Sequence, residues 1–162
     1  MDESMWRVSA DTPLQAVLDD PTCPELLRRV VKGLHSWQMR NETTVGRALT
    51  TSQLMPEWMA ALLALGSVAI IDDGDRGEVR LETLVWGEVE GHVTALLVPL
   101  AENPESGQKR TCWGEAHVAR TPSDDPIVAA IAVVTWDERV VEEARLALTG
   151  VSSNPVWLAE GV

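Results

Sequence analysis

Pro56-Glu57-Trp58-Met59-Ala60-Ala61-Leu62-Leu63-Ala64-Leu65-Gly66-Ser67-Val68-Ala69-Ile70-Ile71 decides how the chain is read, because it changes element type in mid-run. A helix should begin near Pro56 and run through Met59, Ala60, Leu62 and Leu63 to Gly66, a residue suited to the stop of a helix. Ser67 to Ile71 is then a β-branched strand, Asp72-Asp73-Gly74-Asp75 a turn, and Val79 and Leu81 alternate in a returning strand, which together make a hairpin with a slightly long loop.

Upstream of this stretch, Asn41 to Gln53 is rich in Thr, Ser and Asn without apolar periodicity and reads as a loop. Before it, Thr22-Cys23-Pro24-Glu25 is a helix start, and Leu26, Leu27, Val30, Val31, Leu34 and Trp37 fall on one stripe at helical spacing. Thr12-Pro13-Leu14-Gln15 gives the same signal, a capping box with Pro in the first helical position and a short helix to Asp19. Trp6 to Ala10 alternates weakly, as a strand would. Downstream, His92 to Leu100 is an apolar run, and Glu102 to Gln108, with its Pro, Gly and Asn, is an exposed connection. Ile127 to Trp136 suits a buried strand or a buried helix equally. In Val140 to Leu148 the Glu-Glu-Ala-Arg-Leu-Ala-Leu run favours helix on propensity. Gly150 and Ser152-Ser153-Asn154-Pro155 end that segment, and Pro155 can open a final short helix. The fold class is α+β, with helices early and strands later.

Length and charge bound the function. The chain has 162 residues, enough for one domain or two small ones, with 45% apolar and 23% charged residues as in globular proteins. Its 13 Lys and Arg against 25 Asp and Glu give a formal charge of −12, which argues against binding a phosphate backbone. No apolar run is long enough to span a membrane, and Met1-Asp2-Glu3-Ser4 lacks the basic flank of a signal peptide, so the cytoplasm is the expected location. Cys23 and Cys112 are isolated, which suggests neither a disulfide framework nor a cysteine-based iron–sulfur or zinc site. The aromatic residues are all Trp, seven of them spread along the chain, as core or interface anchors are.

Catalytic chemistry is not legible. His35, His92 and His117 are not spaced as ligands, so no metal site is expected. No nucleophile–base pair or paired-carboxylate motif is present, so no catalytic residues are expected. The pairs Asp19-Asp20, Asp72-Asp73 and Asp124-Asp125 fall in turns or element ends, where Asp is favoured for backbone reasons.

Three stretches, in order, resemble the FAD-binding (medium) subunit of the molybdenum hydroxylases, the xanthine dehydrogenase and carbon monoxide dehydrogenase family. Arg40-Asn41 followed by Thr44-Val45-Gly46-Arg47-Ala48-Leu49 is similar to the family's R-N-x-x-T-[IV]-G-G-N-[IL] segment. Ala61 to Gly66 is similar to its L-L-A-L-G helix ending. Arg120, Asp124 to Val128 and Ala144-Arg145-Leu146-Ala147-Leu148-Thr149-Gly150-Val151 are similar to R-x-x-D-x-x-[IL]-V and A-R-[IL]-A-L-G-G-V, and Arg7 to Leu14 looks like the strand and helix start R-I-G-A-x-T-x-L. The resemblance runs from Trp6 to Glu160.

What the resemblance implies is a partial FAD-binding domain of helices plus a small sheet over residues 1–100 and a partial C-terminal domain over 109–162, with Ile127–Val134 and Val140–Leu148 as strands of an antiparallel sheet. It implies FAD as cofactor, lined by Thr44, Val45, Gly46, Arg47 and Glu57, and electron relay by a subunit whose substrate chemistry lies elsewhere, on a molybdenum-cofactor large subunit, with an iron–sulfur small subunit as the other partner. It also implies truncation at both ends, since the family's first flavin loop, A-G-G-x-[ST], does not occur in this sequence and the family continues past the position of Val162. The remaining loop is altered. Arg47 stands at the second family Gly, Ala48 at the family Asn, Glu57 at the family Asp, and His117 at a family Lys or Glu. Glycines there allow close approach of backbone amides to a pyrophosphate, which the Cβ of Arg47 obstructs. The alternative function is therefore a non-catalytic docking or structural module of such a complex that has lost FAD. Uncovered apolar surface predicts self-association.

Overall fold

Short strands and helices alternate in the first half. β1 (Met5–Ser9) leads to α1 (Leu14–Asp19), α2 (Glu25–Gly33), α3 (Trp37–Glu42), α4 (Val45–Thr50) and α5 (Pro56–Ala64). β2 (Val68–Asp72), β3 (Gly77–Arg80), α6 (Leu81–Val85) and β4 (His92–Pro99) follow. The described residues of the second half form strands only: β5 (Lys109–Val118), β6 (Val128–Asp137), β7 (Val140–Thr149) and β8 (Val156–Gly161). This computed structural model describes residues 4–33, 36–50, 55–72, 77–86, 91–100, 109–121, 126–137, 140–151 and 156–161.

Two four-stranded antiparallel sheets result, with orders β1-β4-β2-β3 and β5-β6-β7-β8. α5 packs on one face of the second. Every residue from Trp58 to Ala64 is buried, and the helix packs on α2 and α4 as well as on β6, β7 and β8. A helix that is apolar all round is stable only when covered all round, and this one is. Its end is a Schellman motif: Ser67 N–H donates to Leu62 O at 3.0 Å, Gly66 N–H donates to Leu63 O at 3.0 Å, and Gly66 takes φ 69°. The α+β reading and the helix-to-strand change at Gly66 thus hold, and so does the β2–β3 pairing; the hairpin loop lies outside the described residues.

Elsewhere the structure corrects the sequence reading. Thr12 does not cap α1: Pro13 sits at the N-cap position with no side-chain cap, and an isolated bridge between Pro13 and Thr44 takes over, with Leu14 N–H donating to Thr43 O at 2.9 Å and Val45 N–H to Thr12 O at 2.9 Å. The stripe of α2 ends at Val31. Trp37 opens α3 instead, after the Ser36 hydroxyl accepts the Met39 N–H, and is 67% exposed; Leu34 and His35 lie outside the described residues. Residues 41–50 are largely helix, not loop. Thr44 Oγ1 accepts the Arg47 N–H at 3.3 Å, and Val45, Ala48 and Leu49 make a buried face too short to register as a period. Leu81 begins α6 rather than continuing β3, and is fully buried.

Val128–Asp137 and Val140–Thr149 are both strands, as the resemblance implied and the propensity of the second did not. β7 takes ladder bonds on both sides, from β6 and from β8, and that tertiary context outweighs the small helical preference of Glu, Ala, Arg and Leu. Pro155 lies outside the described residues, and Val156–Gly161 after it is strand rather than helix, because it completes the sheet along β7.

Candidate functional site

The segment that carries the flavin resemblance is held against the end of β1. Gly46 N–H donates to Ala10 O at 2.8 Å and Val45 N–H to Thr12 O, so two of the first amides of α4 are committed to the neighbouring chain. A Cβ at Gly46 would lie 3.1 Å from Ala10 Cβ and 3.2 Å from Ala10 O. This glycine is therefore needed where α4 crosses the chain after β1. Ala10 N–H in turn donates to Thr94 O of β4 at 2.9 Å, which ties the crossing to the first sheet.

Beside it is a cleft of about 720 Å³, within the usual range of small-molecule sites. Thr44, Gly46, Arg47 and Asp11 line one side, Met59 of α5 lies among the lining residues, and Leu84, Val85 and His92 form part of the other wall. Three expected site residues thus come together. The other two do not join them: Val45 is fully buried in the core, and Glu57, half-buried in the first turn of α5, is not among the lining residues. Ala48 is fully buried as well, so the position of the family's Asn faces the core. Asp11, Met59 and His92 were not legible as site residues, since only the crossing of β1, β4 and α5 brings them to α4. Asp11 does lie inside the Arg7–Leu14 resemblance, which is the one signal that pointed to it.

Whether this cleft suits a flavin pyrophosphate can be judged from its donors. A cradle for phosphate is made of backbone N–H groups aimed outward. Here the Val45 and Gly46 amides donate to carbonyls and the Arg47 amide to Thr44 Oγ1, while Asp11 adds a negative charge. The residues present do not form that cradle.

A second cavity, about 390 Å³, lies where α2 and the end of α5 meet the second sheet. Arg145 reaches it, but its guanidinium is committed: Nη1 is 3.3 Å from Glu82 Oε1 and 3.4 Å from Leu63 O, and Nε is 2.7 Å from Glu143 Oε1. Cys23 also lines it, and burial pushes its thiol up to about 12, which makes it a poor nucleophile. Cys112 is exposed. Among the described residues no three His, Cys, Asp or Glu side chains gather as a metal site, and no helix is long and apolar enough to cross a membrane. His92 and His117 are both exposed, at the start of β4 and near the end of β5.

With this geometry in hand, the comparisons identify the fold. Over 98% of its length the chain superposes on quinoline 2-oxidoreductase from Pseudomonas putida 86, with TM-score 0.76 and 19% identity. It superposes equally far on carbon monoxide dehydrogenase from Hydrogenophaga pseudoflava, in a form lacking the Mo-pyranopterin moiety of the molybdenum cofactor, with TM-score 0.75 and 18% identity. For reconstituted CO dehydrogenase from Oligotropha carboxidovorans the values are 97%, 0.74 and 15%. The chain has the fold of these chains. It spans 56% of each of them. No protein-family model matches it, and no curated protein matches it in sequence.

Proposed function

We propose that the chain is a flavoprotein-subunit-like component of a molybdenum-dependent hydroxylase or dehydrogenase complex, and that it serves there as a structural and docking module. In this reading, residues 1–100 and 109–162 are partial counterparts of the FAD-binding and C-terminal domains, the partners are a molybdenum-cofactor large subunit and an iron–sulfur small subunit, and the complex is cytoplasmic. The observation that carries the docking role is the commitment of the Val45 and Gly46 amides to Thr12 and Ala10. A loop that spends its donors on its own scaffold fixes the junction of α4 with β1 and leaves little for a pyrophosphate.

A second reading keeps the cofactor: FAD bound along the cleft, with Thr44, Gly46 and Arg47 beside it, would supply electron relay to the complex. The size of the cleft favours this reading. Visible spectroscopy of the purified chain, alone and after adding FAD, separates the two. The docking role predicts a colourless protein that loses added FAD on gel filtration and binds the large subunit. About one flavin retained per chain would replace it with electron relay, and failure to bind any molybdenum-cofactor subunit would end both.

A further inference from the structure

α6 supplies part of the wall of the cleft beside Gly46, yet its own sequence does little to fix how it lies. Leu84 and Val85 line the cleft, with Met59 of α5 among the other lining residues. The helix has five residues, and Arg80 at its N-cap position makes no side-chain cap bond. A helix this short takes its stability from what it packs on. Two residues at its start hold it. The first is Leu81, which is fully buried and whose N–H donates to Ser67 O at 3.1 Å, so α6 is pinned where β3 ends. One pinned end leaves rotation about the helix axis open, and rotation decides whether Leu84 and Val85 face the cleft.

The second residue is Glu82, which is buried. Arg145 of β7 donates to its Oε1 from Nη1 at 3.3 Å, and the same Nη1 donates to Leu63 O at the end of α5 at 3.4 Å. Gly66 opens the passage: a Cβ there would lie 2.5 Å from Nη1, so its absence leaves room for the guanidinium. Arg145 thus ties the end of α5, the start of α6 and the second sheet at one point. For stability alone Glu82 is a poor choice. Its Oε2 is buried and has no hydrogen-bond partner among the described residues, and a buried acceptor without a partner lowers stability. A well-packed apolar pair in place of a buried ion pair is often at least as stable. What the directional bond adds is a fixed rotation, since Glu82 lies three residues before Val85 on the same side of the helix.

We propose that Arg145 is a positioning residue for the cleft: reaching from the second sheet to Glu82, it fixes the rotation of α6 and so places the wall made by Leu84 and Val85. A partner that shifts β7 then reshapes the cleft. A ligand that needs this wall in place tightens the hold of the second sheet in return, because coupling between two sites is reciprocal. That consequence rests on the cleft holding a ligand, as in the electron-relay reading, whereas the placement of α6 does not.

Amide hydrogen exchange on the full chain, without added flavin or partner, tests the placement. Glu82→Ala removes the link and should fold, because Arg145 keeps Glu143 Oε1 at 2.7 Å and Leu63 O, and Ala favours helix. The expected result is an unfolding midpoint close to that of the wild type, with the Val85 and Trp86 amides exchanging at least about tenfold faster and those of β2 and β4 unchanged. Arg29→Ala breaks the exposed pair with Glu115, which also joins the halves, and should leave α6 protected as in the wild type. Should Glu82→Ala fail to fold, Arg145→Met with Glu82→Leu removes both charges and should give the same selective loss at α6. Unchanged α6 exchange in a folded variant overturns the inference. So does equal acceleration in β2 and β4, which would mark the pair as general support. Failure of both variants to fold overturns it as well, since the pair would then hold the fold together rather than the wall in place.

Discussion

The two sheets have four antiparallel strands each, but they are made stable in different ways. In the first sheet, helices fall between β1 and β2 and between β3 and β4, strands are four to eight residues long, and the order β1-β4-β2-β3 brings the two ends of the first half together. The second is a meander whose first three strands are ten residues long, each paired with its neighbour in sequence. The first half encloses most of the core; the second contributes one face, laid on α5. The difference teaches that the meander obtains its pairing locally but its burial from the other half, so contacts across α5 decide whether the halves stand or fall together.

Among the described residues two ion pairs cross between the halves, and they offer the sharpest way to break the comparison. Arg145 of β7 meets Glu82 of α6 with side chains only 14% and 8% exposed. Arg29 of α2 pairs with Glu115 of β5 and lies 5.8 Å from the Trp113 ring, but its side chain is 59% exposed. Removing one partner of a buried pair strands the other charge, so Arg145→Ala should cost about 3 kcal/mol in denaturant unfolding. Arg29→Ala should cost only about 0.5 kcal/mol, since water already solvates that pair. The double replacement Arg145→Met with Glu82→Leu should recover much of the loss. Recovery of none would mean that Arg145 holds the halves together through Leu63 O instead.

The left-handed glycines rank next. Gly150, at φ 73°, ends β7, and a Cβ there would collide with the carbonyl oxygen of Ile127. Gly66, at φ 69°, would place a Cβ 2.5 Å from Arg145 Nη1, the movable end of a side chain. Both replacements by Ala force an L residue into the αL region at about 1–2 kcal/mol. Gly150→Ala should be the worse, at about 2 kcal/mol, because backbone cannot yield as a guanidinium can. Equal midpoints in thermal unfolding would show that Arg145 is as rigid as the backbone.

Legibility follows the same division. The helix from Pro56 to Gly66 and the strand after it could be read because apolar run, stop signal and β-branched run stand consecutively in the chain. The β7 strand could not be read from propensity, since Glu142, Glu143, Ala144 and Arg145 prefer helix and only the ladders to β6 and β8 override them. The candidate site was half legible. Thr44, Gly46 and Arg47 could be named from one segment, but what their amides bond to depends on Ala10 and Thr12, more than thirty residues away. Glu57 follows the family position yet does not line the cleft, because α5 turns its first residues elsewhere.

The smallest effect belongs to the first half alone. Asp20 follows α1, and its carboxylate accepts from Thr22 Oγ1 at 2.7 Å, from Thr22 N–H at 2.8 Å and from Trp6 Nε1 at 3.0 Å. The Thr22 hydroxyl bond lowers its pKa most; burial opposes, and the Thr22 amide, Trp6 and Arg28 lower it further, so the net value lies below the ordinary 3.8. Since the folded pKa is the lower one, this contribution is complete above about pH 3.8 and is lost as the pH falls through the folded value. Asp20→Asn should therefore flatten the acid limb of the stability curve by lowering stability slightly at neutral pH, because an amide oxygen can still accept from Trp6 or Thr22 but without the charge that strengthens those bonds. Trp6 provides the readout, as its indole is buried in the first half while the second sheet contributes none of these donors. If the midpoint read from the Trp6 indole N–H resonance moved with pH identically in both proteins, the acid sensitivity would lie outside the Asp20 cluster.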